Sequence, residues 1–229
     1  MAPVGEPAVP RPTVWLNCAA SLDGRLAFAG GARARLSSPE DLERVHRLRA
    51  SVDGIVVGVG TAVLDDPSLR VREERQGPTT PPRPWRIVVD ASGRTPPGAR
   101  LLDGSAPTIV LTAEDNRRSY PEHVRIVVAG RGRVDLTRGF AELRRQGLER
   151  LLVEGGAALF GSILRAGLFD RWTIYYAPVV IGGATAPPIV AGPEARNFDE
   201  AVRLRLEGIE RLGEGCIATY LPAAPPLDR

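Results

Sequence analysis

The chain has 229 residues, 43% of them hydrophobic, and a formal net charge of +3. That length supports one sizeable core or two small ones, and the charge is too mild to argue for a nucleic-acid partner. No run of about 18 apolar residues exists to span a membrane.

Residues 1–12, rich in proline and polar, have no basic segment followed by an apolar stretch; they read as a disordered lead-in rather than a signal peptide. Apolar runs bounded by turn residues then predict strands at 14–20, 54–59, 85–90, 107–112, 125–129, 150–154, 172–180 and 216–221. A further run from Arg203, RLRLEGIERLG, alternates with period two. Several runs are apolar throughout, as expected of strands covered on both faces. Helices fall between them. Ser38-Pro39-Glu40-Asp41 supplies an N-cap, a proline at the first helical position and an acid at the third. Leu42, Val45 and Leu48 mark the expected buried stripe of that helix. Residues 137–147 and 158–167 are two more helices, each closed by glycine. Residues 73–84 read as a proline-rich surface loop. The alternation predicts an α/β fold with a mixed sheet in a single domain over residues 13–222, followed by a tail at 223–229.

Absences narrow the chemistry. All 30 basic residues are arginine. The missing lysine removes Schiff-base chemistry, pyridoxal-phosphate anchoring and the P-loop lysine together. Two cysteines, Cys18 and Cys216, and two histidines, His46 and His123, lack metal-ligand spacing, so neither a metal site nor a disulfide scaffold is expected. A reducing cytoplasm is the default location.

Two segments carry chemistry. In VEGGAALFGS, a strand ends in Glu154, then Gly155 and Gly156 precede a helix running through Ala157, Ala158, Leu159, Phe160, Gly161 and Ser162. It fits neither the Gly-x-Gly-x-x-Gly fingerprint nor, without lysine, a P-loop. Glycines still let a backbone approach a ligand, and N–H groups at a helix start attract anions. A tight ligand-free turn is the competing explanation. In VGVGTAVLDDPSLRVR, a strand ending in Gly58 and Gly60 leads to Thr61, Asp65, Asp66, Pro67, Leu69 and Arg72. A capped helical turn ended by Asp-Pro explains Thr61 and Pro67 but not two adjacent acids before an arginine-bearing strand.

With SLDGRLA at 21–27, Arg49 closing VHRLR, and RIVVDASGR at 86–94, these blocks resemble one family over about residues 13–221. It is the pyrimidine reductases of riboflavin biosynthesis, whose fold is dihydrofolate-reductase-like: a mixed, mostly parallel sheet flanked by helices. The resemblance implies NADPH-dependent reduction of a ribosylamino-pyrimidine 5′-phosphate to the ribityl form by a cytoplasmic homodimer. It places Ala19, Thr61, Asp65 and the run Gly155 to Gly161 on the cofactor side. Arg49, Leu69, Arg72 and Glu154 fall at substrate positions, and Asp65 and Glu154 are the implied catalytic carboxylates. Arg33 and Arg35 depart from the family's pattern; either phosphate binding or a solvated loop explains them. Ala91 stands where the family has serine, which leaves Ser92, Arg94, Arg117 and Arg118 as candidates for an adenosine 2′-phosphate. The apolar strand at 172–180 suggests the dimer contact. The zinc-deaminase signature that many family members carry is missing, so the chain reads as a free-standing reductase. A dihydrofolate-type or secondary-metabolite pyrimidine reductase, and a non-catalytic nucleotide-binding relic, are the alternatives.

Overall fold

A computed structural model describes residues 10–71 and 83–223. The proline-rich segment after Val71 and the two chain ends therefore lie almost wholly outside the described residues. Within the proposed disordered lead, Arg11 is ordered: its guanidinium grips the Asp170 carboxylate with two hydrogen bonds of 2.7 and 3.0 Å.

Nine strands form one sheet: β1 (Thr13–Ser21), β2 (Gly54–Gly58), β3 (Trp85–Val89), β4 (Thr108–Thr112), β5 (Val124–Val128), β6 (Arg150–Gly155), β7 (Arg171–Ala177), β8 (Leu204–Leu212) and β9 (Gly215–Pro222). Their order is β5-β4-β3-β2-β6-β1-β7-β9-β8. The first seven in that order run parallel, and β9 and β8 close the sheet as an antiparallel hairpin. The expected mixed, mostly parallel sheet is present.

Four helices cover the faces: α1 (Pro39–Ala50), α2 (Val59–Asp65), α3 (Leu136–Arg145) and α4 (Ala157–Arg165). On one face, Phe140 and Leu143 of α3 and Phe160 and Ile163 of α4 pack on alternate residues of β1, β6 and β7. The Phe160 ring lies 5.9 Å from that of Trp172. Complete burial of a phenylalanine stabilises the fold by roughly 2–3 kcal/mol. On the other face, Val59 and Ala62 of α2 pack with Ile55, Val57, Leu69 and Leu101.

Two expectations need correction. The inward stripe of α1 does not begin at Leu42, which is 51% exposed; Val45 and Leu48 are half-buried, and Asp41 is the fully buried residue of the helix. Asp41 holds Arg44 at 2.7 Å, and Arg44 reaches Asn17 of β1 at 2.7 Å. Thr173 of β7 donates to the same Asn17 oxygen. The buried charge of Asp41 is balanced by Arg44 through one carboxylate oxygen, while the other oxygen is buried with no hydrogen-bond partner. The strand expected at 172–180 stops at Ala177, since Pro178 has no N–H to continue a ladder. That strand lies between β1 and β9 and is mostly buried, so it offers no edge to a second subunit.

Candidate active site

The carboxyl ends of β1, β2, β3 and β6 converge on a single cleft, the position where open parallel sheets bind ligands. Its volume is about 790 Å³. Cys18 and Ala19 line it from β1, and Gly58 to Thr61 and Glu154 to Phe160 line it side by side from the neighbouring β2 and β6 ends. Burial pushes the Cys18 thiol up to about 12, so it sits at the cleft as a neutral group.

The glycines are there for contact. Gly156 has φ +99°, a conformation that side chains disfavour, and a Cβ added to it would stand 3.3 Å from the Gly58 Cα. A Cβ at Gly155 would stand 3.0 Å from the Thr61 hydroxyl. The starts of α2 and α4 thus meet with no side chain between them. Gly156 cannot cap α4, and no other side chain does. Phe160 N–H makes the first intrahelical bond, to Gly156 O, at 2.9 Å. The N–H groups of Ala157, Ala158 and Leu159 therefore have no helical acceptor at the cleft wall. Uncapped amides beside a glycine-lined hollow fit the phosphates of a dinucleotide. Gly161 has another task. It is buried away from the cleft, where a Cβ would collide with the Ala191 carbonyl oxygen, so it admits the 187–192 loop against α4.

Glu154 and Arg49 are brought together from 105 residues apart. The Arg49 guanidinium donates to both Glu154 oxygens at 2.7 Å. Burial would lower the Arg49 pKa, but the charge and hydrogen bonds of Glu154 outweigh it and raise it above its ordinary value. Arg49 also donates to the Arg70 carbonyl at 3.2 Å, tying the segment that follows α2 to this pair. Sequence reasoning placed both residues near substrate without seeing that they bind each other.

Asp65 ends α2 at the cleft mouth and accepts from Arg33 at 3.0 Å. Both line the cleft; Arg35 is exposed and does not. Asp66 adopts a left-handed conformation, φ 39°, and its carboxylate accepts from the Arg100 N–H at 2.7 Å. It pins the end of α2 to a neighbouring turn rather than capping its own. Leu69 also has positive φ, 49°, but its side chain is buried in the core, which leaves its backbone as the part able to meet a ligand. Arg72 lies outside the described residues.

At the other end of the cleft, buried Asp90 organises the DASGRT turn by accepting from the N–H groups of Gly93, Arg94 and Thr95. Burial alone would raise its pKa; the hydrogen bonds from Thr95 and its neighbours hold it below the usual carboxylate range. The turn presents Ala91 and Arg94 to the cleft. Arg133, just before α3, and Ser162 also line the cleft. Arg133 escaped the sequence reading, its one signal being a position just ahead of a helix start. Arg118 is turned aside, donating to the Gly93 carbonyl at 2.7 Å and lying over the Tyr120 ring.

A mostly parallel sheet with an antiparallel hairpin, and a glycine-lined cleft at its carboxyl edge beside a buried carboxylate, define a dihydrofolate-reductase-like oxidoreductase. The RibD C-terminal domain family model matches residues 12–218. The 2,5-diamino-6-ribosylamino-4(3H)-pyrimidinone 5′-phosphate reductase of Methanothermobacter thermautotrophicus is 41% identical, over 92% of this chain and 98% of its own. The reductase of the same name from Archaeoglobus fulgidus is 40% identical, over 91% of this chain and 97% of its own. Among solved structures, Acinetobacter baumannii RibD (form 1) matches with a TM-score of 0.80 and 25% identity, covering 93% of this chain and 59% of that one. The chain belongs to the RibD C-terminal domain family, the reductases of riboflavin biosynthesis.

Proposed function

We propose that this chain reduces the ribosyl side chain of a ribosylamino-pyrimidine 5′-phosphate to the ribityl form, with NADPH as reductant. The observation that carries the proposal is the juxtaposition of the uncapped start of α4 with Glu154, one residue before the glycine turn. The names of the two archaeal relatives favour the diaminopyrimidinone form of the base over its deaminated counterpart.

NADPH, when bound, supplies the hydride delivered to C1′ of the open-chain imine. The protein supplies placement and charge. The amides of Ala157, Ala158 and Leu159 hold the pyrophosphate, with Gly155, Gly156 and Thr61 giving it room. Arg94 and Arg133 suit the adenosine 2′-phosphate, because a guanidinium fork binds two phosphate oxygens. Arg49 keeps Glu154 fixed at the wall, where the carboxylate can accept from pyrimidine amino groups or ribose hydroxyls. Asp65 supplies negative charge for the cationic protonated imine. Arg33 and the backbone of Leu69 face the sugar phosphate, and Arg72 is assigned to the same phosphate by the family resemblance alone. A homodimer and a cytoplasmic location belong to the same reading; no helix among the described residues is long and apolar enough to cross a membrane.

The direct test is NADPH oxidation by purified protein with the diaminopyrimidinone ribosylamino 5′-phosphate, its deaminated counterpart and dihydrofolate. Turnover on the first, with little on the others, is expected. Turnover on dihydrofolate alone would refute the proposal.

A further inference from the structure

Three ties converge on the short segment that follows α2. Asp66 and Leu69 are the two non-glycine residues with positive φ, 39° and 49°, among the described residues. Such backbone is sparsely populated and persists only where its surroundings over-determine it. The surroundings here are the 3₁₀ turn Arg100–Leu102 and the residue after it. The Asp66 carboxylate accepts from the Arg100 N–H at 2.7 Å, and the Leu69 side chain is buried in one cluster with Leu101. Arg70 then donates to the Asp103 carboxylate at 2.6 Å.

Asp103 is a fixed post for that third tie. Its other oxygen accepts from Arg86 of β3 at 2.9 Å. Arg86 is fully buried, and it also donates to the Arg100 and Ala106 carbonyls and to the Thr108 hydroxyl. A buried guanidinium is costly to unpair, so Arg86 holds Asp103 where it stands. Burial would raise the Asp103 pKa, but hydrogen bonds from Ser105, Arg86 and Arg70 hold it well below the usual carboxylate range. On the other side, the Arg70 carbonyl accepts from Arg49 at 3.2 Å, and Arg49 grips Glu154. A continuous line of contacts thus runs from Glu154 through Arg49 and Arg70 to Asp103 and β3.

We propose that Arg70 is a positioning residue for the substrate. Its ion pair with Asp103 holds the Leu69 backbone left-handed and the Arg70 carbonyl on Arg49, so that this segment and Glu154 meet the substrate as one preformed edge. Arg70 is not among the described residues that line the cleft, and its guanidinium is committed to Asp103. The Arg70 side chain is 54% exposed, and an exposed ion pair contributes little to global stability. Preorganisation is a separate effect: it spares the substrate the cost of ordering the segment. The tether therefore acts on substrate affinity rather than on the fold or on hydride transfer. The inference rests on the proposed function, which puts the Leu69 backbone at the sugar phosphate.

Steady-state kinetics of the full chain with NADPH and the diaminopyrimidinone ribosylamino 5′-phosphate test it. Arg70→Ala should raise KM for that substrate about tenfold, with kcat within about threefold and NADPH affinity within about twofold. Its thermal midpoint should stay near that of the wild type. Arg70→Lys keeps a charge against Asp103 and should recover most of the loss. Asp103→Asn leaves Arg86 an acceptor but sets an amide against Arg70; it should raise KM equally and add nothing to Arg70→Ala. If Asp103→Asn does not fold, the two Arg70 variants decide. An unchanged KM in Arg70→Ala, or a loss shared equally by NADPH affinity and thermal midpoint, overturns the tether. A raised KM in Arg70→Ala beside a silent Asp103→Asn makes Arg70 a direct ligand and overturns the positioning role. A wild type that binds NADPH without turning over this substrate overturns the proposed function, and the tether's role with it; normal turnover with silent Arg70 variants overturns the tether alone.

Discussion

The four helices begin in two different ways. α1 and α3 start on side chains that close them: Ser38 accepts from the Asp41 N–H at 3.2 Å, and Asp135 from the Arg138 N–H at 3.0 Å. α2 and α4 start on Gly58 and Gly156, which close nothing. A cap is worth about 1 kcal/mol, and its omission leaves amides unpaired. Of the capped pair, α1 starts away from the cleft and α3 at its rim, where Leu136 lines it; the uncapped pair form its glycine wall. The difference teaches how to tell a structural turn from a binding one: amides already satisfied by their own chain have no room for a ligand.

The largest effect that sharpens this contrast is expected at the residue before the open turn. Glu154→Gln should lower turnover at least about a hundredfold, roughly 2.7 kcal/mol, because Arg49 loses its charged partner and substrate its acceptor. NADPH affinity should stay within a few-fold. A fall in NADPH affinity with turnover at saturation intact would put Glu154 on the cofactor side.

Closing the open end comes next. Gly156→Val must adopt a positive φ and places its side chain against Gly58. NADPH affinity should fall about thirtyfold, roughly 2 kcal/mol, in protein that remains folded by circular dichroism. Unchanged affinity would make the turn structural.

The adjacent acids Asp65 and Asp66 carry the same contrast on a smaller scale. Asp65→Asn should reduce turnover about tenfold, close to 1.4 kcal/mol. Asp66→Ala should instead lower stability by about 1 kcal/mol, since it removes the acceptor for the Arg100 N–H and strains a left-handed residue. Turnover and thermal midpoint measured for both variants distinguish them; the reverse pattern would exchange their roles.

The smallest effect belongs to the capped helices. Ser38→Ala and Asp135→Ala should each cost about 1 kcal/mol of stability in denaturant titrations and leave NADPH affinity unchanged. A loss of affinity in either would remove the distinction drawn above.

Much of this was legible in the chain itself. Apolar runs such as those at 54–58 and 108–112 gave the strands, because buried parallel strands need apolar residues on both faces. Ser38-Pro39 gave the start of α1 for a local reason, a hydroxyl within reach of an N–H three residues on. Long-range pairings were not legible. The inward face of α1 is polar because Asn17 and Thr173, far away in sequence, hold Arg44, which in turn pairs with Asp41. The grip of Arg49 on Glu154 and the place of Arg133 at the cleft likewise depend on the sheet order. α2 reads in sequence as a capped helical turn ended by Asp-Pro; it is a seven-residue helix with no side-chain cap, because its start is held open at the glycine wall of the cleft. The strand at 171–177 was read too long because Pro178, Val179 and Val180 keep the apolar composition after the ladder has ended.

Hydrogen exchange by mass spectrometry, with and without NADPH, tests the central claim most directly. It reads the amides that the cofactor is proposed to occupy. The account predicts that NADPH slows exchange at Ala157, Ala158 and Leu159, with little change at Asp41 and Arg138, whose amides are already paired. Protection at the capped starts of α1 and α3, or none at the start of α4 under saturating NADPH, would contradict it.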